Sequence, residues 1–151
     1  MIAKHPLFPH ALRPPVFVAD VSVSVGWVVT TRSNMYAVSV LSALVRKPPV
    51  VPSVWIAGVA DALLRAEQAG EFPPAQTAAK LALLQAYPIW FDDETDAYSW
   101  SDTLALARTH LISVPDAAYL ELALRVRLPL ATIDAALARA AAAAGVALFA
   151  P

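Results

Sequence analysis

Three aspartates are the residues of this chain whose placement could do chemistry: Asp20, Asp116 and Asp134. Asp20 ends the run PVFVAD and Asp134 closes the run PLATID, both rich in strand-forming residues. Each therefore stands at the carboxyl end of a predicted strand, where open α/β sheets bind their ligands. Asp116 falls in the first turn of a predicted helix, where the helix dipole favours negative charge. Taken singly, Asp116 and Asp134 read as helix caps, whereas for an acid joined directly to a buried strand, as Asp20 is, a structural and a functional role stand even. Three carboxylates brought to one sheet edge repel one another unless a cation lies between them. Oxygen ligands without histidine or cysteine suit Mg²⁺ or Mn²⁺. A hard cation at an open site typically serves phosphoryl chemistry, activating water and neutralising phosphate oxygens.

The elements that must position these acids follow from the pattern around them. Residues 15–20 read as a buried strand, and 21–29 (VSVSVGWVV) alternate with period two, which taken alone favours another strand. Helical spacing appears over 33–47, with Ser33 or Asn34 as cap, and over 53–70, with Ser53 as N-cap and Gly70 just past the end. Further helices are expected over 73–87, opened by proline, over 97–110, over 113–127, where Ser113 and Asp116 form a capping box, and over 134–144. Short apolar runs at 48–52, 88–91, 128–132 and 146–149 read as strands. Strands and helices thus alternate, the pattern of an α/β fold with a mostly parallel sheet and helices on both faces.

In their order along the chain these pieces resemble PIN-domain nucleases of the VapC toxin type. The matching stretches are Asp20-Val21-Ser22-Val23 with Trp27, then Val51-Pro52-Ser53-Val54-Trp55 followed by Val59-Ala60-Asp61-Ala62-Leu63-Leu64. Asp116-Ala117-Ala118-Tyr119-Leu120 and Leu128-Pro129-Leu130-Ala131-Thr132-Ile133-Asp134 complete the set, with Asp116 and Asp134 18 residues apart. The resemblance runs from about Val16 to Phe149. It implies a PIN-like three-layer sandwich with a central, mostly parallel sheet, and Mg²⁺ or Mn²⁺ held by Asp20, Asp116 and Asp134. It also implies a metal-dependent endoribonuclease toxin acting on RNA in the cytoplasm, homodimerisation, and a cognate antitoxin that blocks the site. Ser22 and Thr132 would border the pocket and contact phosphate or water; local turn bonding is their alternative role. After its first aspartate the family is helical, so the resemblance places a helix over about 22–29 in spite of the period-two pattern.

One position departs from that family. Three residues beyond Trp55, where the family carries a glutamate, this chain has Gly58, inside a helix where glycine costs about 1 kcal/mol relative to alanine. Asp61 lies one turn on, about 4.5 Å along the axis, and fits a water-mediated contact better than direct ligation. Several explanations of Gly58 stay open. The site could hold one metal with three acids and cleave slowly. The chain could be an inactive PIN-like module that binds an antitoxin without cutting. The substitution could have been selected in a host that the active protein kills, or the glycine could admit a bulky neighbour such as Trp55 or Trp27.

The remaining signals bound the reading. At 151 residues the chain suits one domain over 16–151, preceded by an irregular leader over 1–15 that does not read as a signal peptide. No uncharged apolar run reaches the ~20 residues of a membrane span. The absence of cysteine excludes disulfides, zinc thiolates and thiol catalysis. Hydrophobic residues make up 58% and charged residues 15%, well below the usual share of about 25%, which is a hint of a covered apolar face, as in a homodimer. The net charge of −1 advertises no nucleic-acid field. Arg46, Lys47, Arg65, Arg125 and Arg127 are the candidate backbone contacts for RNA, while Tyr119 and Trp27 read as core. Glu67 and the acidic run Asp92, Asp93, Glu94, Asp96 read as solvated. A receiver-like phosphoryl acceptor also uses strand-end aspartates, but it fails for want of a lysine near 129–134.

Overall fold

The computed structural model describes residues 2–3 and 13–151. Four short parallel strands form its centre: β2 (Phe17–Ala19), β3 (Pro49–Val51), β4 (Trp90–Asp92) and β5 (Leu130–Ala131). A fifth, β1 (Ile2–Ala3), adds antiparallel to β4, so the sheet order is β1-β4-β3-β2-β5. The register sets Phe17 opposite Pro49, Val18 opposite Leu130, and Val50 opposite Trp90. All residues of β2 and β3 are buried, as expected of strands covered on both faces, whose sequences are continuous apolar runs. The leader expected over 1–15 lies for the most part, at 1 and 4–12, outside the described residues.

Helices flank this sheet in the α/β sandwich that the alternation of elements predicts: α1 (Val21–Gly26), α2 (Met35–Ala43), α3 (Val54–Gln68), α4 (Thr77–Ala86), α5 (Thr95–Tyr98), α6 (Asp102–His110), α7 (Val114–Val126) and α8 (Ala135–Ala143). The expected helix over 97–110 is thus two, α5 and α6. The expected last strand over 146–149 is reduced to a single parallel bridge between Leu130 and Leu148. That segment is nonetheless fixed: Phe149 stacks on Phe17 at a centroid distance of 4.0 Å, and the Tyr36 hydroxyl donates to the Phe149 carbonyl at 2.8 Å. Among the described residues no helix is long and apolar enough to cross a membrane.

The stretch 21–29 is resolved in favour of helix at its start. Asp20 caps α1 by accepting from the Val23 amide at 2.9 Å, and Ser24 donates back to the Asp20 carbonyl at 2.6 Å. Val23, Ser24, Val25 and Gly26 are all buried. A short helix buried along most of its length, with only Val21 and Ser22 partly exposed, needs no broad polar face, so its alternation of valine and serine carries no strand information. Trp55 of α3 then donates its indole N–H to Ser24 Oγ at 3.0 Å, which locks α3 across α1.

Candidate metal centre

Asp20 follows the last residue of β2, and Asp134 lies three residues beyond β5. These neighbouring strands flank the point where the sheet order reverses, so both acids emerge at the switch point, where such sheets leave a crevice. Asp116 reaches the same crevice from the first turn of α7. Asp20, Asp116 and Asp134 line one cleft of about 430 Å³, together with Asp61 of α3. The acids stand along its walls: among the described residues no three acidic or imidazole side chains yet form a cluster that could hold one ion.

The three carboxylates differ in environment. Asp20 is only 4% exposed. It accepts from Ser22 Oγ at 2.7 and 2.8 Å, from Thr132 Oγ1 at 2.6 Å, and from the Val23 amide. Its carboxyl is raised to about 6 as the net of several effects: burial pushes it up, the hydrogen bonds from Thr132, Val23 and Ser22 hold it down, and the charge on Asp134 adds to the rise. Asp134 is exposed and caps α8 by accepting from the Leu137 amide at 2.7 Å. Asp116 is half-buried and is held by the Ser113 hydroxyl at 2.6 Å, while its own amide donates to Ser113 Oγ. The caps expected of Asp116 and Asp134 therefore exist and coexist with placement on the cleft, whereas Ser53, expected to cap α3, accepts no amide there and donates instead to Asp96 Oδ1 at 2.8 Å.

Ser22 and Thr132 sit between Asp20 and the turn into α8. Their hydroxyls donate to Asp20 and accept from the Ile133 amide at 3.0 Å and the Asp134 amide at 2.9 Å. In this arrangement they orient the carboxylate and fasten β2 to the turn after β5. Negative potential spreads beyond the acids themselves. Burial, then the charge of Asp20, pushes the Tyr36 phenol up to about 12. Burial, then Asp20 and Asp116, holds the Tyr119 phenol far above its usual range. An oxygen-only donor set around a buried carboxyl whose charged form is penalised fits a hard divalent cation, which Asp20, Asp116 and Asp134 would hold.

Gly58 also lines the cleft. A β-carbon built on it would meet Val21 Cγ2 at 2.7 Å, with the Tyr119 hydroxyl at 3.9 Å. The glycine thus admits a neighbour, but that neighbour is Val21 and neither tryptophan. No sequence signal marks this contact, because it joins faces of α1 and α3 that only the packed fold brings together. Arg32, also missed, stands on the cleft wall and is paired with Glu71 at 2.7 Å. Of the acids read as solvated, Asp92 is buried instead: it receives Arg125 Nη2 at 2.7 Å and Thr95 Oγ1 at 2.7 Å. Arg125, read as a possible RNA contact, is spent on this network, with Glu121 at 2.8 Å and Glu94 at 3.1 Å. Asp61 pairs with Arg65 at 2.8 Å on the exposed surface of α3.

Comparison with known proteins bears on the fold. The chain is similar to PAE2754 from Pyrobaculum aerophilum, with a TM-score of 0.58 and 16% identity over 83% of this chain and 86% of that one. It is also similar to a chain of a toxin–antitoxin complex from Klebsiella pneumoniae, with a TM-score of 0.51 and 17% identity over 78% and 85% of the two chains. No family profile and no curated protein matches it. At such identities the likeness establishes a shared architecture, an α/β sandwich with its central parallel sheet.

Proposed function

We propose that this chain is a metal-dependent endoribonuclease, the toxin of a toxin–antitoxin pair, with an activity limited at Gly58. The observation that carries the reading is the placement of Asp20, Asp116 and Asp134 on one cleft at the switch point of the sheet. A toxin–antitoxin complex whose chain shares this fold supports the antitoxin partner. The excess of apolar residues over charged ones supports a homodimer. Bound there, Mg²⁺ or Mn²⁺ would supply an activated water and charge neutralisation at a phosphodiester. The chain's own part is to hold Asp20 in one orientation through Ser22 and Thr132. Asp116 and Asp134 line the same cleft, and apolar side chains such as Val21, Val54 and Ile133 shape the rest of it.

A second reading, an inactive module that binds its antitoxin without cutting RNA, is favoured by one observation. Val21 Cγ2 stands 2.7 Å from the point where a β-carbon on residue 58 would begin, so a glutamate at that position requires Val21 to shift. Mn²⁺ titration by calorimetry, with RNA cleavage assayed alongside, separates the two. The nuclease reading expects Mn²⁺ binding that Asp20→Asn abolishes while the fold persists, since asparagine also caps α1 well. Binding of the antitoxin by a chain that takes up no divalent ion and cuts no RNA would favour the second.

A further inference from the structure

We propose that the Tyr119 hydroxyl donates a hydrogen bond to a phosphate oxygen of a nucleotide bound in the acidic cleft. Tyr119 is 3% exposed, and its hydroxyl has no hydrogen-bond partner among the described residues. Buried hydroxyls are nearly always paired, and of the three buried orphans among the described residues, Trp27 Nε1, Thr103 Oγ1 and this hydroxyl, only this one belongs to a residue lining the acidic cleft. The ring lines the cleft, and its hydroxyl lies 3.9 Å from the point where a β-carbon on Gly58 would stand. Asp20 does not serve as its partner, being occupied by Ser22, Thr132 and the Val23 amide. A phenol buried this deeply keeps its proton and is a donor. It therefore needs a group that accepts, and a phosphate oxygen only accepts.

Two further features fit a phosphate. Arg32, which is paired with Glu71, and Arg65 line the same cleft. The Arg65–Asp61 pair is exposed, with side chains 72% and 59% accessible, and such pairs exchange partners at little cost. The inference rests on the proposed divalent-cation site, because phosphate enters an acidic cleft only with a cation.

Tyr119→Phe tests it with two readouts. Adenosine monophosphate, which has no phosphodiester to cut, is titrated calorimetrically in Mg²⁺ against wild type and variant, with adenosine as the arm lacking phosphate. Thermal unfolding is followed without ligand. The expected result is a Tm higher by about 2–4 °C, as a buried unpaired hydroxyl is removed, with affinity for the monophosphate about tenfold weaker and that for adenosine unchanged. A lower Tm would mean that the hydroxyl has an internal partner, and overturns the inference. So does an unchanged monophosphate affinity, which leaves the cation site standing. If wild type binds neither the monophosphate nor RNA with Mg²⁺ or Mn²⁺, the cation site itself fails and the inference with it.

Discussion

Replacing Gly58 by alanine tests the packing of the cleft by the sign of its effect. Helix propensity alone predicts a gain: exchanging glycine for alanine inside a helix stabilises by about 1 kcal/mol. The structure predicts a loss. The new β-carbon would start 2.7 Å from Val21 Cγ2, far inside van der Waals contact. Val21 is β-branched and opens α1, so its χ1 is stiff and the methyl does not swing away freely. Overpacking of this kind costs about 1–3 kcal/mol, which exceeds the propensity gain over most of that range. Gly58→Ala should therefore destabilise by about 1 kcal/mol net, a fall in Tm of about 2–4 °C for a chain of this size. In the Val21→Ala background the obstructing methyl is gone, and the same substitution should stabilise by about 1 kcal/mol. Urea unfolding of the four proteins closes the cycle, with an expected coupling of about 1–3 kcal/mol. Additive effects, or a stabilising Gly58→Ala in the wild-type background, would refute the contact between α1 and α3.

Other expected outcomes follow from the same geometry. Gly58→Glu alone should add little RNA cleavage, while Gly58→Glu combined with Val21→Ala should raise Mn²⁺ affinity and cleavage at least about tenfold, a factor worth about 1.4 kcal/mol; inert proteins with every divalent ion would sink the nuclease reading. Arg125→Leu should destabilise by about 3–5 kcal/mol, because it strands the fully buried Asp92 carboxylate; a fall in Tm under about 3 °C in thermal unfolding would contradict this. The acid limb of stability should change as well. Burial pushes the Asp92 carboxyl up, but Arg125 and Thr95 outweigh it and hold it below the usual range. Its stabilisation is thus complete above the ordinary carboxylate pKa and is lost as pH falls through its own lower value. Arg125→Leu should flatten that limb in acid titrations followed by circular dichroism. Thr132→Val removes a donor to Asp20 and an acceptor for the Asp134 amide, and should cost about 1–3 kcal/mol in chemical denaturation.

The sequence was most legible where local chemistry and fold agree. Asp20 after PVFVA, the Ser113–Asp116 capping box and the Asp134 cap all stand where their neighbours place them. Alternation of elements was enough to reach the α/β sandwich, because buried parallel strands and capped helices each leave a local mark. The residues 21–29 show the opposite: period two reads as strand, yet enclosure and the serine bonds to Asp20 favour a helix over Val21–Gly26. Asp92 misled for a related reason. An acidic run looks solvated until a guanidinium from α7, 33 residues away, arrives to pair it. Val21 against Gly58 left no mark at all, since neither residue shows in its own neighbourhood what will face it.

The bond from Thr132 to Asp20 spans 112 positions of the polypeptide. A chain emerging from the ribosome carries its first aspartate early, but the hydroxyl that orients it and the acid across from it arrive only with residues 132 and 134. Until then β2 lacks β5 as a neighbour, and the crevice between them does not exist. Synthesis itself thereby sets the order of assembly: the surroundings of Asp20 are complete only once residue 134 has been added.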